Sequence, residues 1–327
     1  MTMVTLDSLS DYYINKYEPQ QDRAKRRYSA DDYYNNTMVY LTSRKTLVFI
    51  AGLHVGDLGP KRKAEFVKFL DTAFKKTRPG SVLVELPESL NAKELDKLLV
   101  KPRSKWMESE WMINFAKRYD ATYRGMDLET KENIGELIRL GKIDDAELAL
   151  FVYFLFWYHS MAKFWTRKNR ALTRDDIYDL TIHRILNILL DKNSELSGIS
   201  PEILGIHKKY KGRSLADTID RILRKMTDRY VKSGMHSKLV VNLKDPQPYI
   251  HPYKKYRINE FVSYWDANRD RHMMAACLRS LRKNDVVLAI AGSGHINRFS
   301  MILLDEIANG IGSARMMSWA EFSKLKK

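Results

Sequence analysis

The sequence predicts an α/β fold: a mostly parallel, mixed sheet flanked by helices, with a helical insertion. Three observations predict it. Short, β-branched apolar runs, Thr46–Ala51 (TLVFIA), Ser81–Leu86 (SVLVEL) and Val286–Ala291 (VVLAIA), read as strands buried on both faces. Between the first two lies an amphipathic stretch opened by Pro60, so strand, helix and strand form a βαβ unit, right-handed by default. Two of the runs stop at glycine followed closely by histidine, in Gly52-Leu53-His54 and in Gly292-Ser293-Gly294-His295. Ligands of open α/β sheets bind at the carboxyl ends of strands, so these two ends are expected to share one site.

The elements follow in order. Residues 1–36 are polar and tyrosine-rich and read as an N-terminal extension; residues 37–327 read as a single domain. Thr37–Thr42 and Thr46–Ala51 predict a hairpin turning at Ser43-Arg44. After the loop Val55–Gly59, Phe66, Phe69, Leu70 and Phe74 set the apolar stripe of a helix. Pro79-Gly80 turns the chain into Ser81–Leu86, an apolar run that contains Glu85. A carboxylate there must be paired, bind a metal or lie at the strand's end. Asn91–Leu99 and Lys105–Arg118 predict helices, Ala121–Met126 a strand running into Asp127, and Glu129–Leu140 a helix. A helical, basic insertion spans about residues 145–258. Arg269, Asp270 and Arg271 open a helical pattern, HMMAACLRSL, that leads into Val286–Ala291. The glycines of 292–295 predict a turn closing that strand, followed by a helix over Met301–Asn309, a last strand at Arg315–Met317 and a tail helix.

Composition narrows the function classes. The chain has 327 residues and 44% hydrophobic residues, enough for one large domain with a real core. Its one cysteine, Cys277, excludes a disulfide within the monomer and a cysteine-based zinc site. The opening MTMVTLDSLSDYY lacks a basic region followed by an apolar one, so no signal peptide is read and a cytoplasmic setting is expected. The apolar run Leu148–Tyr158 falls short of the roughly 20 residues that a span needs. No P-loop, no dinucleotide-binding glycine motif and no H-E-x-x-H is present. Thr166–Ile258 carries 20 Lys and Arg against 10 Asp and Glu, a net +10 of the chain's +16. Either a solvated helical surface or an anionic partner accounts for it. Lys208, Lys209, Lys211 and Arg213 are the candidate contacts to a polyanion or nucleic acid, with Tyr210, Tyr230, Tyr249 and Tyr253 placed to stack bases. An unknown substrate and a second copy of the chain are the other partner classes left open.

His54, Glu85, Asp127, Arg269-Asp270 and Gly292-Ser293-Gly294-His295 together resemble a superfamily. It groups TraB and pheromone-shutdown proteins, Tiki proteases, ChaN-like haem-binding proteins and erythromycin esterase-like hydrolases. RDRHMMA followed by VVLAIAGSGH is most similar to the TraB branch. The resemblance covers residues 37–130 and 260–300. The chain departs from the pattern at Ala51, where the first G-x-x-H turn has glycine, and at Asn268, where an acidic residue is usual.

The resemblance implies a hydrolase of peptide or ester bonds. In its Tiki-like form, His54, Glu85 and His295 would hold one divalent ion (manganese, cobalt or zinc) that activates water. Arg269 would hold a substrate anion or the oxyanion, and Asp127 or Asp270 would orient a ligand. In its esterase-like form no metal takes part; one histidine is the general base and Glu85 sets its tautomer. A third class is a binding module that uses the basic insertion, and haem binding a minor fourth.

Overall fold

The computed structural model describes residues 3–16, 33, 36–52, 60–99, 107–142, 217, 221 and 257–325. The basic insertion, with Lys208, Lys209, Lys211 and Arg213, lies outside them apart from residues 217, 221, 257 and 258, and so does His54. The chain divides into two units: Met1–Thr5, Gln20–Glu129 and Arg269–Lys327 in one, Leu6–Pro19 and Thr130–Asn268 in the other.

The first unit contains a six-stranded mixed sheet. Its strands are β1 (Met38–Leu41), β2 (Thr46–Gly52), β3 (Ser81–Pro87), β4 (Thr122–Asp127), β5 (Val286–Gly292) and β6 (Arg315–Ser318), in spatial order β4-β3-β5-β2-β1-β6. The four strands from β4 to β2 run parallel; β1 is antiparallel to both β2 and β6. The β1–β2 turn closes as expected at Ser43-Arg44, where Thr42 Oγ1 accepts from the Lys45 amide at 2.8 Å.

Around the sheet stand α2 (Pro60–Thr77), α3 (Ala92–Leu99), α4 (Met107–Arg118), the second half of α6 (Arg257–Lys283), α7 (Ser293–Gly310) and α8 (Trp319–Lys324). Strand side chains alternate between faces. Val48, Ile50, Val82, Val84, Leu288 and Ile290 turn to one face and form a single apolar cluster with Phe66, Phe69 and Leu70 of α2 and Met112 and Phe115 of α4. On the other face Phe49 of β2 meets Phe299 of α7, ring centroids 5.4 Å apart. Burial on both faces is why β2, β3 and β5 read as unbroken apolar runs.

Two expectations are revised. The glycines at 292–295 form no turn: Gly292, at φ −51° and ψ 141°, is the N-cap of α7, which starts at Ser293 instead of Met301. His295 therefore sits in the first turn of a helix. Arg269 does not open its helix, since α6 begins at Arg257 and Arg269 lies in its middle. The extension 1–36 carries a helix, α1 (Leu6–Lys16), which belongs to the second unit, and Tyr33, which is buried in the apolar cluster of the first.

In the second unit α1 meets the first half of α6 through Ser10 and Ser263, whose hydroxyls lie 2.8 Å apart. Helix α5 (Thr130–Arg139) adds Asn133, whose amide donates to the Trp265 carbonyl at 3.1 Å. Among the described residues no helix is long and apolar enough to cross a membrane.

Two features place the site. Strands β2 and β5 are neighbours, yet the chain after β2 leads through α2 to β3, and the chain after β5 leads through α7 to β6 at the opposite edge. Their carboxyl ends are thus a topological switch point, where α/β sheets open a crevice. At the end of β3 the register with β4 shifts between Val84 and Pro87, a bulge that spans Glu85. Gly125 of β4 makes room for it: a Cβ there would stand 2.2 Å from the Pro87 carbonyl oxygen and 2.4 Å from that of Leu86.

Candidate active site at the strand ends

Five of the residues singled out in the sequence meet at this edge. Glu85, aimed by the bulge, accepts at Oε2 from the Gly292 amide at 2.6 Å. That amide belongs to the N-cap of α7, where the helix end favours a carboxylate. Its Oε1 accepts from Arg269 Nη2 at 3.1 Å and lies 3.2 Å from His295 Nε2. Asp127, last in β4, accepts from Arg269 Nε at 3.1 Å and, at its second oxygen, from Nη2. Arg269 is thus bound by two carboxylates of the protein itself, which differs from the expected grip on a substrate anion. Asp127 Oδ1 also accepts from the Leu128 amide at 2.8 Å.

Asp270, next along α6, is fully buried and touches His295 Nδ1. Arg298, one helical turn beyond His295, donates from Nε to Asp270 Oδ2 at 2.9 Å and from Nη2 to Oδ1 at 3.3 Å. Burial alone would raise the Asp270 carboxyl; Arg298 first and His295 next outweigh it and hold it at about 2. An ionised carboxylate only accepts hydrogen bonds, so Nδ1 carries a proton and Nε2 is the atom that faces Glu85. Burial alone would lower the His295 pKa, but the charges of Asp270 and then Glu85 prevail and raise it to about 9. The two carboxylates thus favour the charged, proton-donating form of His295.

The donor set of the described residues does not fit a divalent ion as arranged. Both ring nitrogens of His295 face carboxylates, and both oxygens of Glu85 accept hydrogen bonds. Metal ligation needs a neutral imidazole. Among the described residues three carboxylates (Glu85, Asp127, Asp270) are paired with Arg269, Arg298 and His295. Among the described residues no group of three or more His, Cys, Asp or Glu is arranged around a metal position. The remaining expected ligand, His54, lies outside the described residues.

Sequence reasoning missed Arg298, although its spacing of three from His295 on a helix puts the two on one face. It also missed a second cluster. Glu88, three residues after Glu85, accepts from Arg279 Nη2 at both oxygens, at 2.7 and 2.6 Å, and lies 2.7 Å from His272 Nε2. The hydrogen bond from His272, opposed by burial and aided by Arg279, holds the Glu88 carboxyl at about 2. The seven-residue spacing of His272 and Arg279 on α6 was the available signal.

Comparison of the chain with protein-family models, curated proteins and solved structures gives no match.

Proposed function

We propose that the chain is a hydrolase of a peptide or ester bond that works at the β2–β5 switch point by proton transfer, with His295 as the acid. One observation carries this reading: a buried histidine clasped at Nδ1 by Asp270, with Nε2 3.2 Å from Glu85, at the carboxyl ends of parallel strands. Asp270 orients the ring and stabilises its charge. Glu85 accepts from Nε2 and holds that proton at the strand ends until a leaving group takes it. Arg269 holds Glu85 and Asp127 in place, and Arg298 offsets the charge of Asp270 so that a carboxylate without exposure is tolerated. The Nε2 proton goes to the oxygen or nitrogen of the leaving group, a step worth about 100-fold to 10,000-fold in rate.

The test is turnover of a generic ester and peptide panel by protein whose metal content is known. His295→Asn and Glu85→Gln are each expected to lose activity while metal-free wild-type protein keeps it. Wild-type activity that vanishes with a chelator and returns with manganese, cobalt or zinc would replace this reading with the metal-assisted one. No turnover of any panel member would sink both.

The net +10 over Thr166–Ile258 favours a second, compatible reading, a polyanion-binding segment. Charge reversal at Lys208, Lys209 and Lys211 is expected to weaken binding of a nucleic-acid probe and flatten its salt dependence. Binding that stays unchanged at every salt concentration would leave those lysines as solvated surface.

A further inference from the structure

The β2 end of the crevice has a carboxylate of its own. Glu108, in the first turn of α4, accepts at Oε1 from the Tyr33 hydroxyl at 2.8 Å. Its Oε2 lies 3.0 Å from the point where a Cβ on Gly52 would stand, a spot also only 3.3 Å from the Ala291 carbonyl oxygen. Glycine at 52 is therefore what admits this carboxylate to the strand end. Tyr33 is fixed in turn: it is 2% exposed, and its ring centroid lies 4.6 Å from that of Phe66 and 6.0 Å from that of Phe69.

Register connects this carboxylate to the site already described. Gly52 is the partner of Gly292 across the β2–β5 pair, and the Gly292 amide is the group that Glu85 binds. Adjacent strands are roughly 4.8 Å apart. By strand alternation Gly52 belongs with Val48 and Ile50 on the α2–α4 face, whereas Glu85 turns to the opposite face, with α6 and α7. A molecule lying across the paired strand ends would border both faces, and neither Gly52 nor Gly292 carries a side chain.

We propose that Glu108 is a working carboxylate of this crevice, the acceptor of the proton of the attacking water, aimed over Gly52 by Tyr33. The proposal deepens the hydrolase reading and rests on it. The water oxygen bonds to the substrate carbonyl carbon as its proton passes to Glu108. The bond from that carbon to the alcohol or amine then breaks, and the leaving atom takes the Nε2 proton of His295. The proton on Glu108 returns through solvent to His295, which closes the cycle with one water consumed. Tyr33 is a positioning residue: it touches Glu108 and acts through it.

Glu108→Gln keeps the size of the side chain and still accepts from Tyr33. On a substrate from the panel it is expected to lower kcat about 100-fold or more with KM within about twofold. Its Tm should be unchanged or higher, as for a residue kept for activity and not for stability. Tyr33→Phe should lower kcat about 10-fold, and the double variant should be no worse than Glu108→Gln alone, since the two act as a unit. Wild-type kcat in Glu108→Gln, with His295→Asn inactive, would overturn the role of Glu108 and leave the hydrolase reading standing. A fall of Tm in Glu108→Gln matched by Tyr33→Phe, with kcat retained, would show a structural hydrogen bond and overturn it as well. Absence of turnover in the wild type overturns the hydrolase reading and this proposal together.

Discussion

The same three residue types, histidine, carboxylate and arginine, are assembled twice on this fold, with different consequences. His295, Asp270 and Arg298 have side chains 7%, 0% and 9% exposed; His272, Glu88 and Arg279 have 30%, 23% and 41%. Both carboxyls are held at about 2 by their cations. In the first cluster water is shut out and the histidine faces a carboxylate at each nitrogen, so its proton is retained to about pH 9. In the second, solvent shares the charges, and one carboxylate serves both the histidine and the arginine. Composition does not tell how strongly such a cluster is coupled; desolvation does, because the same charges interact more strongly as water is removed.

The largest expected effect breaks the buried cluster. Asp270→Asn leaves Arg298 and His295 buried with reduced compensation and should cost about 3–5 kcal/mol in urea unfolding. A loss under about 1 kcal/mol would mean that burial does not set the two clusters apart.

The pH dependence sharpens the same contrast. The folded-state pKa of His295 lies above the unfolded value of about 6.5. Its contribution to stability is therefore fully present below pH 6.5 and is lost as pH rises through 9. Asp270 runs the other way: lowered to about 2, it contributes above its ordinary value of 3.8, and that contribution is lost as pH falls through 2. Urea midpoints taken from pH 4 to 10 should hold level to about pH 6.5 and then decline, and His295→Asn should remove the alkaline decline. A decline that survives in His295→Asn would assign it to another group.

The smallest effect belongs to the half-buried cluster of His272, Glu88 and Arg279. Glu88→Gln should cost about 1 kcal/mol or less, with most of that lost in high salt. A cost equal to that of Asp270→Asn would erase the distinction between the two.

The hydrophobic pattern alone determined the α/β class. Runs such as TLVFIA and VVLAIA are too short for helices and too evenly apolar for a half-exposed strand, so they had to be parallel strands covered on both sides. Glu85, Asp127 and His295 also stood out, because polar residues at the ends of such runs are costly unless they are used or paired, whereas Arg269 and Asp270 were picked out as the start of a helical pattern and by the family resemblance. Which charges meet was not legible. Arg269 is engaged by Asp127 and Glu85, from positions 142 and 184 residues away in the chain, and local spacing says nothing about pairings at that range. The order of the strands decided them. Placing β5 between β3 and β2 brought Gly292 beside Glu85 on one side and Gly52 on the other. Glu108 had no sequence signal at all, since a glutamate in the first turn of a helix is ordinary. Only the packing of α4 against the sheet edge, with Tyr33 holding it, put its carboxylate over Gly52. The imidazolium of His295 was likewise a tertiary outcome, because an isolated histidine titrates near 6.5 and only two carboxylates closed around a buried ring carry it to 9.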